Sequence, residues 1–488
     1  MTIAPLRLAA SAAALADDFA RVRADLDVPT SFPAEVDAEA AAVAARSSRA
    51  RWLPPGAPDA ERLDARSLEL VTVDPPGSRD LDQAFHAERQ GSGFRVHYAI
   101  ADVAAFVAPG GPLDREAFVR GETLYLPDGR APLYPDVVGE GAASLLPEVD
   151  RPALLWTFEL DADARPLATR CERATVHSRA AQSYAGAQAA LDRGDASSSL
   201  ALLRELGELL LDRERERGGV SIAAPGQEVV RDPDGSYSLE LEAPLPVETW
   251  NAQISLLTGR EAARLMGEAG VGLVRTLPPP DDGIVGRLRH TARALGVEWP
   301  SGAAYADVVR GLRPDTRARA TFLLQALHAL RGAGYAVVTP EAPAPVHAAV
   351  GAPYAHVTAP LRRLADRFAN EVVLAVAGGY APPAWAVDAL PGLVEVMPRA
   401  DRHAGAVDRA CIDAVETELL AGHLGATFPA TVVDRHRRGV VVLLTDIPVL
   451  ATVAGARPVG EAALGESVTV RLDALDPVAR TSTFSLHR

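Results

Sequence analysis

The change of hydrophobic period along the chain is what most constrains its fold. From about residue 67 to 180, apolar and polar residues alternate, as in Phe94-Arg95-Val96-His97-Tyr98-Ala99-Ile100 after the turn Gln90-Gly91-Ser92-Gly93, which is the two-residue period of strands. From about 197 to 424 the spacing turns helical, as in Leu202-Leu203-Arg204-Glu205-Leu206-Gly207-Glu208-Leu209-Leu210, with a predicted strand pair around 227 to 241. Sheet first and helices after is the α+β pattern. Five short β-type runs then follow Gly425, at residues 430–433, 440–444, 449–453, 468–472 and 481–486. They predict a small all-β barrel of OB type, which either binds single-stranded nucleic acid or caps the structure. Residues 1 to 66 read as a short helical segment and linker, broken by Pro29, Pro33 and Pro54-Pro55-Gly56, an appendage too short to hold a barrel of its own. The expected division is 1–66, 67–424 and 425–488.

Composition narrows the setting. At 488 residues and 48% hydrophobic content the chain can bury several cores. Cys171 and Cys411 are its two cysteines, so no disulfide framework or cysteine zinc cluster is encoded. The Ala-rich stretch 7–16 runs straight into Asp17-Asp18-Phe19-Ala20-Arg21-Val22-Arg23 at helical spacing, an amphipathic helix rather than a signal peptide. No apolar run approaches the roughly 20 residues of a bilayer span. A cytoplasmic, monomeric protein without a membrane partner is expected.

The net charge of -15 is unlike that of a nucleic-acid binder, but phosphate affinity depends on local cationic surface. There is no lysine, so all 49 basic residues are arginines, suited to bidentate phosphate contacts. They cluster at Arg213, Arg215 and Arg217, at Arg362, Arg363 and Arg367, and at Arg435, Arg437 and Arg438; a solvated helix or loop face is the alternative for each and the favoured explanation for the first. Without lysine there is no Walker-type loop, and no nucleoside triphosphate is expected as a partner.

Asp74-Pro75-Pro76-Gly77-Ser78-Arg79-Asp80-Leu81-Asp82-Gln83 places three carboxylates on a rigid turn leading out of a strand-like run. Asp80 and Asp82, two apart, are expected to point to the same side. Hard cations such as Mg²⁺, with Mn²⁺ as substitute, prefer such carboxylate oxygens, and Asp74, Asp80 and Asp82 are the candidate metal ligands. A plain surface turn is the alternative.

Taken with 99–103, 113–117, 123–128, 144–147 and Tyr354-Ala355-His356-Val357-Thr358-Ala359-Pro360-Leu361-Arg362-Arg363-Leu364-Ala365-Asp366, the segment resembles the ribonuclease II/R exoribonuclease family, whose catalytic domain is called RNB. The resemblance covers roughly 67–424. It implies an α+β RNB catalytic domain followed by the OB-type barrel, and Mg²⁺-dependent 3′-to-5′ hydrolysis of single-stranded RNA to nucleoside 5′-monophosphates. It casts Asp80, Asp82 and Gln83 as catalytic positions and Arg362 as the guanidinium on the scissile phosphate. Tyr125 would seat the terminal base and help set where cutting stops, and Tyr184 would line the RNA path, with Arg363, Arg437 and Arg438 as further RNA contacts. A structural salt bridge to Asp366 is the alternative for Arg362, and a core position beside Pro127 that for Tyr125.

Two departures stand out. Family members commonly carry Asp-x-Asp-Asp, whereas this chain has Asp80-Leu81-Asp82-Gln83. Gln83 offers a carbonyl oxygen without charge, and Asp102 or Asp128 is the candidate to compensate. The family's paired N-terminal barrels also have no room in residues 1–66. Besides an exoribonuclease, the sequence therefore admits a catalytically silent RNA-binding protein on the same scaffold, and more remotely a small-molecule phosphohydrolase.

Overall fold

The alternating region folds into one curled sheet. The structure is a computed structural model and describes residues 9–10, 12–46, 62–222, 226–232, 234–242, 244–313, 315–327, 329–436, 439–445, 447, 449–454 and 463–487. The sheet order is Leu63–Asp64, Pro166–Ser183, Leu70–Asp74, Gln83–Gln90, Gly93–Ala101, Asp150–Leu160. The 18-residue strand Pro166–Ser183 also pairs with Asp150–Leu160, so the sheet closes back on itself. Phe94, Val96 and Tyr98 sit opposite Leu160, Phe158 and Trp156, and all six are at most 3% exposed. Burial of each such side chain stabilises by about 1.5–3 kcal/mol, which is why the two-residue period specifies the register.

Helices Ser198–Glu216, Pro246–Ala269 and Leu364–Ala377 share this core. The predicted strand pair is the hairpin Gly226–Arg231 with Tyr237–Glu242. Helix Ala384–Leu420 then runs 37 residues, through Pro391 and Pro398, to the terminal barrel. Five strands close that barrel in the order Thr427–His436, Gly439–Leu444, Leu450–Ala454, Thr481–His487, Ser467–Asp476. An α+β domain followed by a small all-β barrel is the architecture, as the change of period implied. Among the described residues no helix is long and apolar enough to cross a membrane.

The N-terminal segment corrects one expectation, because it is no appendage. Leu15, Phe19 and Val22, on one face of helix Ala12–Asp25, are 0% exposed. They share a core with Leu124 and Leu126, with Val407 and Val415 of the long helix, and with Phe428 and Phe484 of the barrel. Arg23 forks onto Asp128 at 2.9 and 2.6 Å, and Arg480 reaches Asp25 at 2.9 Å. The helix therefore fastens the hairpin Leu124–Leu126/Gly129–Ala131 to the barrel. Its apolar spacing was readable, whereas its partners, hundreds of positions away, were not.

Candidate active site

Strand Leu70–Asp74 ends on Asp74, and Pro75, Pro76 and Gly77 turn the chain, with Gly77 at φ +83° where a side chain would be strained. The return stretch is pinned from below. Ser144 donates its hydroxyl to the Arg79 carbonyl at 2.6 Å and accepts the Leu81 N–H at 3.0 Å. The Leu145 N–H donates to the Leu81 carbonyl at 3.0 Å, and the Ala101 N–H to that of Asp82 at 2.9 Å. Regular strand resumes only at Gln83. The two-residue rule consequently does not set the directions of Asp80 and Asp82; the irregular stretch brings both to the same region, near enough for the Asp80 charge to act on Asp82, but gives each different partners.

Asp82, 2% exposed, accepts the Leu361 N–H on Oδ1 at 2.7 Å and lies 3.4 Å from Arg362 Nε through Oδ2. Asp80 accepts the Tyr125 hydroxyl at 2.8 Å and faces Arg130 at 3.6 Å. Backbone bonds from Thr123 N–H to the Arg362 carbonyl and from Leu364 N–H to the Gly121 carbonyl, both 3.0 Å, lay the arginine segment beside the Tyr125 hairpin. Arg362 keeps its side chain 45% exposed, and the Tyr125 ring is 51% exposed. Carboxylates, guanidinium and aromatic ring thus meet at one open-sided cleft.

Burial dominates the electrostatics of the cleft floor. It pushes Asp82 up to about 8, against the opposing pull of Arg362 and the Leu361 N–H. Burial, with the Asp80 charge added, lifts Asp74 to about 6, and Asp74 Oδ2 is buried without a hydrogen-bond partner. A desolvated carboxyl oxygen without a partner, as at Asp74, is a donor that a hard cation satisfies once the proton has left. Among the described residues, however, no three His, Cys, Asp or Glu side chains are gathered as a ready-made cage. Mg²⁺ needs none, since it is commonly held by one or two carboxylates, with waters and substrate phosphate completing the shell.

The other candidate positions separate clearly. Both ends of the Gln83 amide are engaged: its Oε1 accepts the Tyr98 hydroxyl at 3.2 Å and its Nε2 donates to the Thr358 carbonyl at 2.5 Å. Arg363, rather than Arg362, pairs with Asp366, at 2.8 Å, and its side chain is 17% exposed. Arg367 is wholly buried on Asp114 at 2.6 Å, between Phe368 and Trp385. Only the first of these three arginines therefore reaches the open cleft. Neither substitute carboxylate is available: Asp102 is buried between Arg62 and Arg173 at 2.6 and 2.5 Å, and Asp128 holds Arg23. Tyr184 begins helix Tyr184–Arg193 and lines a cleft of about 450 Å³ with Glu214, Gln253 and Arg310; burial and the Asp74 charge raise its hydroxyl pKa.

Arg437 and Arg438 lie outside the described residues. In the barrel, Phe428 and Phe484 are 8% and 1% exposed and pack on each other, leaving neither as a stacking platform. The roomier cleft, about 890 Å³, lies away from the carboxylates, between helix Asp282–Ala294 and the barrel, and has Arg287, Arg331 and Arg435 on its walls. The carboxylate cleft is the candidate chemical site, because the titratable groups with shifted pKa values converge there. Sequence reasoning missed Arg130, whose only advance signal was its place after the Asp128-Gly129 turn opposite Tyr125.

Comparison with known proteins identifies the two domains. The model of the RNB domain matches residues 62–377, and that of the RNase II-type exonuclease C-terminal S1 domain matches 426–487. Ribonuclease R of Escherichia coli strain K12 is 27% identical over 477 residues, covering 88% of this chain and 57% of its own length. The apo form of Mycoplasma genitalium RNase R superposes with a TM-score of 0.83 at 19% identity, covering 96% of this chain and 78% of that one. Yeast Ssd1, described as a pseudonuclease, does so at 0.66 and 16%, covering 90% and 58%. At these identities the structural likeness concerns the fold alone. The chain spans 36% and 57% of the length of the first curated relatives it matches.

Proposed function

The chain belongs to the RNB-domain family, and from that membership we propose that it is a cytoplasmic, monomeric, metal-dependent exoribonuclease that removes nucleoside 5′-monophosphates from the 3′ end of single-stranded RNA. The observation that supports this most is the half-exposed Arg362 guanidinium 3.4 Å from buried Asp82, with Tyr125 and Asp80 on the adjoining rim. Asp74 and Asp82, with Asp80 on the open side, would hold Mg²⁺ or Mn²⁺. The ion would supply charge neutralisation at the phosphate and a more acidic attacking water.

In the reaction, water oxygen bonds to phosphorus and the bond from phosphorus to the 3′-oxygen of the preceding nucleotide breaks. That oxygen takes a proton, and the released nucleotide keeps its 5′-phosphate. Arg362 donates to the phosphoryl oxygens, where charge accumulates, and the N-terminus of helix Leu364–Ala377 adds attraction for an anion. Tyr125 offers a ring face on which any base can stack. With a net charge of -15, the chain depends on local arginines to hold RNA, so binding weakens steeply with salt.

RNA labelled at its 5′ end, incubated with protein and Mg²⁺ or Mn²⁺, tests this. A ladder ending in a short oligomer is expected. Retention without shortening would instead support a silent RNA-binding protein, a reading favoured by the uncharged Gln83 and the engagement of both ends of its amide by Tyr98 and Thr358.

A further inference from the structure

Gln83 opens strand Gln83–Gln90 directly after Asp82. Its Nε2 donates to the Thr358 carbonyl, and its Oε1 accepts the Tyr98 hydroxyl. A carbonyl oxygen only accepts, so Thr358 dictates which end of the amide carries the hydrogens. Tyr98 is itself held by Ser255 at 2.7 Å, on helix Pro246–Ala269. A relay of Ser255, Tyr98, Gln83 and Thr358 therefore crosses from helix through sheet to the segment that ends in Arg362.

That segment is gripped at three points in four residues. Gln83 holds the Thr358 carbonyl at 2.5 Å, Asp366 holds the Ala359 N–H at 2.8 Å, and Asp82 holds the Leu361 N–H at 2.7 Å. Thr358, Ala359 and Leu361 are 5%, 0% and 3% exposed, so water is poorly placed to replace a lost bond. Arg362 follows immediately, and a shift at Thr358 passes directly to its guanidinium. No acidic residue reproduces the clamp. Aspartate is one methylene too short, and a carboxylate of either length has no N–H for Thr358 and adds charge beside buried Asp82.

We propose that Gln83 is a positioning residue which, through Thr358, fixes Arg362 over Asp82, and that it is not a metal ligand; this rests on the hydrolytic function proposed above. Gln83→Met keeps the length of the side chain and removes both hydrogen bonds. If wild-type protein shortens RNA, Gln83→Met lowers kcat by about 10²-fold, the cost of a misplaced catalytic group. RNA affinity and the Mg²⁺ concentration for half-saturation stay the same, and in an Arg362→Ala background the substitution costs nothing further. Gln83→Asp lowers kcat as well, whereas a missing metal charge would make it raise kcat. Recovery of full kcat at high Mg²⁺ would make position 83 a ligand and overturn the proposal, as would losses that multiply with Arg362→Ala. Hydrogen exchange at the Ala359, Leu361 and Arg362 amides reads the clamp without turnover. Faster exchange in Gln83→Met is expected, and unchanged protection would overturn the clamp even in a protein that cuts RNA. No shortening by the wild type together with faster exchange in the variant would sink the hydrolytic function and leave the clamp in place.

Discussion

The floor and the rim of the cleft use the same residue types to opposite effect. On the floor, Asp82 is buried and Asp74 part-buried with its Oδ2 enclosed, and Asp82 binds a backbone N–H as well as facing Arg362. On the rim, Asp80 meets a half-exposed tyrosine and the guanidinium of Arg130, itself shared with Asp136 at 2.9 Å. Burial makes the floor carboxyls reluctant to ionise, a cost that a bound cation would offset, while on the rim the half-exposed Tyr125 ring is open to solvent. Chemistry is thus expected to reside on the floor and the choice of stopping point on the rim.

The largest expected break is Arg362→Ala or Asp82→Asn. Arg362→Ala should cost at least about 10²–10³-fold in kcat, and Asp82→Asn should abolish turnover on labelled RNA. Fluorescence anisotropy should show RNA still bound in both. A smaller effect separates floor from rim by pH. Protons compete with metal at Asp74, near 6, and at Asp82, near 8, so half-saturating Mg²⁺ should rise as pH falls from 8 towards 6, by up to about tenfold per unit for each proton displaced. A flat metal titration across that range would remove both carboxyls from the metal.

Glu122 stands behind the rim, pushed up to about 7 by burial and then by Asp401, against Arg363. Its folded pKa exceeds its ordinary 4.5, so its contribution to stability is complete below about 4.5 and is lost as pH rises through 7. Glu122→Gln should therefore stabilise the protein at pH 8 by on the order of 1 kcal/mol after solvent screening, read as a raised Tm, and lose that advantage at pH 5. Smallest is the rim itself. Tyr125→Phe removes one exposed hydrogen bond, worth at most about 1 kcal/mol and read as a slight Tm change. Tyr125→Ala should lengthen the final oligomer on a gel while Tm hardly moves.

Legibility followed the range of the forces involved. The turn at 74–82 was readable because Pro75, Pro76 and Gly77 act through their own dihedral angles. The barrel was readable because five short apolar runs leave few ways to close a sheet. Asp80 and Asp82 do reach one cleft, but not for the reason of strand period, since the strand begins only at Gln83 and their separate partners could not be read. The resemblance singled out Arg362, but the sequence had Arg363 as an RNA contact and Asp366 as a partner for Arg362, whereas it is Arg363 that turns inward to Asp366. Asp102 looked like a spare ligand until Arg62 and Arg173 were found enclosing it.

By itself, then, the order of residues determined the α+β domain, the barrel that follows it, the acidic turn and the kinship of its motifs, all of which depend on neighbours close along the chain. Only the tertiary structure decided which carboxylates are desolvated, which arginine stays open, what the Gln83 amide holds and that the first helix joins hairpin to barrel. Those outcomes depend on burial and on hydrogen bonds between residues hundreds of positions apart, such as Gln83 with Thr358, and a linear pattern carries neither.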